Sequence, residues 1–163
     1  MQNIKIIATG GTFDKRYVPL SGQLQFTTTH LHDLLFQCRI EPVHQVTVEV
    51  VMLIDSLEMQ DAHRSQILSA VKNSSEKHIV IIHGTDTMAL TARTIGAEHL
   101  DKTIVLTGAM VPVDIAQSDG LFNLGFAMAS AKALPTGTYI AMNGNTHVWN
   151  NVHKNTTLGI FEA

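Results

Sequence analysis

The stretch Ile4-Lys5-Ile6-Ile7-Ala8-Thr9-Gly10-Gly11-Thr12 decides the fold of this 163-residue chain. Ile4 to Ala8 is a short, largely apolar run, too short for a helix and closed by two glycines. It reads as a first strand buried on both faces, ended by a sharp turn. Strands of that kind belong to parallel sheets covered by helices, and the rest of the sequence repeats the pattern.

After a mostly polar loop from Thr12 to Thr28, with Pro19 and Gly22 as turn residues, Thr29 is placed to cap a short helix. Its apolar positions are Leu31, Leu34, Leu35 and Cys38. Val46 to Ile54, rich in β-branched residues, is a second strand. Gln60 to Val71 has a helical pattern through Ala62, Ile67, Leu68 and Val71. Ile79 to Ile82 is a third strand, followed by a helix capped by Thr85 or Asp86 and running towards Leu100. Thr103 to Thr107 is a fourth strand, Asp119 to Ala133 a helix, and Tyr139 to Met142 a fifth strand after Gly137. No repeat, linker or low-complexity tract interrupts this order. The expectation is α/β: one three-layer α/β/α domain over residues 1–163 with a mostly parallel sheet.

Composition narrows the function. Hydrophobic residues make up 45% and charged residues 15%, which suits a compact core, and a net charge of −3 without a basic cluster argues against nucleic acid and anionic membrane. A single cysteine, Cys38, cannot form an internal disulfide. The chain opens Met1-Gln2-Asn3 directly into the first strand, without a leader pattern or an apolar run near membrane length, so a cytoplasmic location is expected. Of the nine histidines, His30 and His32 are the closest pair. His44 and His63 follow at no ligand-like spacing, so no metal is expected. No phosphate-cradling glycine pattern opens a helix, and no organic cofactor is expected either.

In open α/β sheets, sites gather at the carboxyl ends of strands. Four polar clusters fall there: Thr9-Gly10-Gly11-Thr12, Asp55-Ser56, His83-Gly84-Thr85-Asp86 and Gly108-Ala109-Met110. Each also has a purely structural reading. Thr12 is either a turn residue or a β-branched hydroxyl nucleophile held in one orientation. Thr85 and Asp86 are helix caps, a hydroxyl–carboxylate pair, or both. Ser56 and Glu58 suit a cap for the next helix, and Lys154 suits a solvated surface. Buried beside a carboxylate and a threonine, the same lysine would assist proton transfer.

Ala8-Thr9-Gly10-Gly11-Thr12 resembles the first signature of the bacterial-type asparaginase/glutaminase family. His83-Gly84-Thr85-Asp86-Thr87-Met88 resembles the core of its second signature. Asp55 to Met59 is similar to the family's substrate loop, and Gly108 to Pro112, Ser118 to Gly120 and Phe122 to Leu124 to another characteristic stretch. Met142-Asn143 with Lys154 to Thr157 is similar to the segment bearing the catalytic lysine. Tyr17 to Gly22 looks most like the cytosolic branch.

The resemblance implies an asparaginase amino-terminal-domain fold and an amidohydrolase that releases ammonia from asparagine or a related small amide. It implies Thr12 as the nucleophile that forms an acyl-enzyme, Tyr17 as its assistant on a mobile loop, and Thr85, Asp86 and Lys154 as the proton-transfer group. Ser56 would hold the substrate carboxylate and Asp86 its α-amino group. Gly11, Leu57, Glu58, Gly84, Ala109 and Met110 would line the substrate. Phe13, Leu57 and Glu58 depart from the usual family residues, the first as a packing change and the others with consequences for side-chain preference. The family's second domain has no counterpart before Ala163, so three assemblies are weighed: a homo-oligomeric enzyme, a binding or regulatory module, and a partial enzyme completed by another polypeptide.

Overall fold

In the computed structural model, which describes residues 3–40 and 46–163, strand β1 (Ile4–Gly10) lies inside a six-stranded sheet of order β4-β1-β5-β6-β7-β8. The outer strand β4 (Val46–Ile54) and the inner strands β5 (His78–Ile82), β6 (Thr103–Thr107) and β7 (Gly137–Met142) run parallel to β1 and to one another. An antiparallel strand, β8 (Asn145–Val148), closes the far side. Its turn is made by Asn143 and Gly144, both at positive φ, which two-residue hairpins require.

Alternate residues of the inner strands face opposite layers. Ile4, Ile6, Val80, Ile82 and Val105 meet helices α1 (Leu31–Gln37) and α4 (Gly120–Ala133). Ile7, Ile79, Ile81, Ile104 and Leu106 meet α2 (Asp61–Asn73) and α3 (Met88–Gly96). The three-layer α/β/α architecture read from the sequence is therefore present, with an apolar cluster on each face of one sheet. Neither face can be exposed without uncovering several branched side chains, each contributing about 1.5–3 kcal/mol on burial.

Three local expectations change. The loop from Thr12 to Thr28 is ordered as a 3-10 turn (Thr12–Asp14) and a hairpin of β2 (Lys15–Val18) and β3 (Gln23–Phe26). Gly22, at φ +67, makes its turn. Neither Thr85 nor Asp86 caps α3, whose N-cap position is Thr87, with no side-chain cap bond. Cys38 ends α1 on the exposed side and contributes nothing to the core.

The caps elsewhere are more local than expected. Gln60, not Ser56 or Glu58, caps α2 through a reciprocal pair with His63. Thr29 accepts the Leu31 N–H at 3.3 Å, while His30 occupies the N-cap position of α1. Near the carboxyl end, β9 (His153–Asn155) pairs antiparallel with β10 (Ile160–Glu162), which the sequence did not announce.

Candidate active site

The four strand-end clusters meet, and glycine is the reason. A Cβ on Gly11 would lie 2.4 Å from the Gly84 backbone, and one on Gly84 would lie 2.6 Å from Ser56 Cβ and Oγ. A Cβ on Gly108 would sit 2.3 Å from the His83 carbonyl oxygen. The ends of β1, β4, β5 and β6 thus stand shoulder to shoulder because side chains are missing where backbones cross. Gly11 also has φ +73, a conformation that a side chain would strain.

Thr12 follows this contact directly, at the head of the 3-10 turn and half-buried. Phe13 beside it is fully buried against the α1/α4 layer, so the unusual residue here is a core anchor for the turn. Among the described residues the Thr12 hydroxyl has no hydrogen-bond partner, which leaves its lone pairs free for chemistry.

Lys154 reaches the same place from β9. Its Nζ donates to Thr85 Oγ1 at 2.8 Å and to Asp86 Oδ1 at 2.5 Å, with only 10% of the side chain exposed. The solvated-surface reading is excluded for this lysine. β9 is seated by two core residues, Val152 before it and Phe161 opposite Lys154 on β10. Arg93 Nη2 adds a bond to the Val152 carbonyl at 3.0 Å. Thr85, itself buried, turns its hydroxyl to the Met110 sulfur at 3.6 Å, which ties the β6 loop to the group. Ala109 is buried beside it.

The remaining expected residues stand apart. Tyr17 is half-exposed on β2, with no bond from its hydroxyl to the cluster. Leu57 and Glu58 point to solvent on the turn after Ser56, whereas Ser56 itself is buried.

Sequence reasoning missed the supports beneath the site. His83 is fully buried, and its Nδ1 bonds the Gly84 carbonyl at 2.7 Å while Thr91 Oγ1 lies 2.7 Å from Nε2. A neutral ring donating from Nδ1 and accepting at Nε2 satisfies both contacts. Burial drives its pKa down to about 4, against the Gly84 hydrogen bond and helped by the nearby Arg64 charge. Asn123, also fully buried, donates to Gly108 O at 3.0 Å and Asp119 Oδ2 at 2.9 Å and accepts the Asn143 N–H at 3.0 Å. Asp119 in turn accepts the N–H groups of Met110 and Val111. The Phe122-Asn123-Leu124 stretch was visible in the sequence, but not its task of fixing three loops at once.

Among the described residues no group of His, Cys, Asp and Glu is arranged to hold a metal ion. His44 lies outside the described residues.

The family pattern described as "Asparaginase, N-terminal" matches residues 3–161. Over 142 residues, 84% of this chain, the sequence is 34% identical to a glutamyl-tRNA(Gln) amidotransferase subunit of Saccharolobus solfataricus. Over 143 residues it is 32% identical to L-asparaginase 1 of Escherichia coli. The matches span 32% and 41% of those two proteins, so the chain covers well under half of the relatives' length. Among solved structures, the L-asparaginase of Thermococcus kodakarensis superposes on 99% of the chain with a TM-score of 0.82 and 26% identity. A probable cytoplasmic L-asparaginase of Campylobacter jejuni does so with a TM-score of 0.83 and 27% identity, and the chain covers 51% and 53% of the two structures.

Proposed function

The chain belongs to the asparaginase family, and from that premise we propose that it is an amidohydrolase that releases ammonia from asparagine or a related small amide through a threonine acyl-enzyme. The observation that carries the reading is Lys154. A nearly buried ammonium gripping Thr85 and Asp86 together, on the strand end pressed against Gly11, has no structural necessity at a chain surface.

In this reading Thr12 Oγ1 attacks the side-chain amide carbon and the Thr85–Asp86–Lys154 group relays its proton to the departing ammonia. Water then hydrolyses the ester. Ser56, buried against Gly84, holds the substrate carboxylate, and Asp86, still 43% exposed, faces the α-amino group. Backbone N–H groups near Thr12 and Thr85 are suited to the developing oxyanion. Gly11, Gly84, Ala109 and Met110 line the substrate, and exposed Leu57 and Glu58 set side-chain preference. Tyr17 joins Thr12 from the hairpin. Neither a metal nor an organic cofactor is required by this chemistry.

Residues 1–163 form one domain in this reading, and the assembly proposed for it is a homodimer or larger homo-oligomer in the cytoplasm. No described helix is long and apolar enough to cross a membrane. A second reading, an amidase unit completed by a different polypeptide, is favoured by the identity to one subunit of an amidotransferase.

A panel of small amides scored for ammonia, with particle mass measured on the same sample, tests the proposal. Release from asparagine or a close analogue by a homomer supports the first reading. No release from any amide, at concentrations where binding is detected, would rule it out and leave the readings of a binding module or of a unit completed by another polypeptide.

A further inference from the structure

Among the described residues, the hairpin of β2 and β3 pairs with no other strand. A lone two-stranded hairpin is marginal in water, so its seat is set by side-chain ties. Both its ends are pinned by Asp14. This fully buried carboxylate accepts the Thr29 hydroxyl at 3.0 Å and the His30 N–H at 2.9 Å through Oδ1. Arg16 adds a second tie, with Nη2 donating to His30 Nδ1 at 3.1 Å and Nε 3.8 Å from the Asp114 carboxylate.

One tie crosses to the substrate side. Lys15 Nζ donates to Asp55 Oδ2 at 2.5 Å and lies 5.8 Å from the ring centre of Phe26, its partner across the hairpin. The other oxygen of the same carboxylate, Oδ1, accepts the Leu57 N–H at 2.9 Å, and the Asp55 carbonyl accepts the Glu58 N–H at 3.0 Å. Asp55 therefore holds the hairpin with one oxygen and the turn carrying Ser56 with the other.

We propose that Lys15 and Asp55 are positioning residues that couple a ligand carboxylate at Ser56 to the seating of Tyr17, an inference that rests on the amidohydrolase reading above. A carboxylate bound at Ser56 orders the turn from Asp55 to Glu58. The ordered turn fixes the Asp55 carboxylate, which fixes Lys15, and Tyr17 sits two residues further along the same strand. The Lys15 hydrogen bond holds the Asp55 carboxyl below its usual range against the opposing effect of burial.

Hydrogen exchange of the full chain, with and without aspartate as a carboxylate probe, tests the coupling in wild type, Lys15→Met, Lys15→Arg and Asp55→Asn. Aspartate is expected to slow exchange across residues 15–26 in wild type. In Lys15→Met and Asp55→Asn the hairpin should exchange about tenfold faster and no longer respond to aspartate, while β5 and β6 keep wild-type protection. For ammonia release, Lys15→Met should lower kcat about tenfold at nearly constant KM, with Lys15→Arg recovering most of it. The inference is overturned by hairpin exchange that ignores aspartate in wild type, or by Lys15→Met exchange equal to wild type. It is also overturned if β5 and β6 loosen together with the hairpin, since the pair would then hold the whole fold. The exchange readout needs no turnover, so an absence of ammonia counts against the amidohydrolase reading alone.

Discussion

Lys154 Nζ lies 2.8 Å from Thr85 Oγ1 although 69 residues separate them in the chain. Its position depends on β9, and β9 depends on the burial of Val152 and Phe161. A short polar segment is thereby delivered to a strand end it does not belong to.

Replacing that ammonium should cost rate and little stability. Lys154→Met keeps the buried stem but removes the donor to Thr85 and Asp86. Ammonia release should fall by about 10²–10⁴ in kcat, the usual worth of a positioned acid–base group. Steady-state kinetics beside an unchanged circular dichroism melt check this.

Gly84→Ala should act on binding first. Its Cβ would land 2.6 Å from Ser56 Cβ and Oγ, so Ser56 must move. KM for a carboxylate-bearing amide should rise by about tenfold or more, whereas an amide lacking the carboxylate should be less affected. Gly11→Ala is harsher, because backbone atoms of Gly84 and a φ of +73 both oppose it. Loss of folded protein is expected there, read by soluble yield and thermal melting.

Asn123→Ala should destabilise the domain by about 2–4 kcal/mol, since it strands the Gly108 carbonyl and the Asn143 N–H and opens a small cavity in a fully buried place. Urea denaturation measures the loss. Exchange at Met110 and Val111 should quicken with it, because Asp119 loses one of its partners.

His83 gives a pH signature. Its folded pKa of about 4 lies below the ordinary 6.5, so the unfolded chain takes up a proton that the folded chain refuses. Its contribution is complete above pH 6.5 and is lost as the pH falls towards 4, by about 3 kcal/mol in total. Asp14 works in the opposite sense, because burial raises its carboxyl pKa despite its bonds to His30 and Thr29. The difference between wild type and His83→Gln isolates the histidine. Urea denaturation between pH 7 and 4.5 should show wild type losing more stability than the variant.

Much of this was legible in the chain itself. The buried strands announced themselves because Ile4–Ala8, Ile79–Ile82 and Thr103–Thr107 are apolar on both faces and end in glycine or in polar residues. The convergence of their ends followed from parallel topology. The hairpin was not legible, because β2 and β3 are only four residues long and largely exposed, and only β3, Gln23-Leu24-Gln25-Phe26, alternates. Thr85 and Asp86 were misplaced as caps, since the residue types that cap helices are also those that a lysine grips. Asn123 and the Lys15–Asp55 pair act through contacts between separate segments, and His83 and Asp119 bond across the turns at strand ends; no residue pattern encodes such contacts.

The central claim is that Thr12 carries the chemistry, and ammonia release by Thr12→Ala tests it most directly. Among the described residues its Oγ1 has no bond to lose, so the variant should fold as wild type does. A fall in kcat of about 10³-fold or more is predicted on every amide that wild type cleaves. Release persisting at the wild-type rate in Thr12→Ala would contradict it.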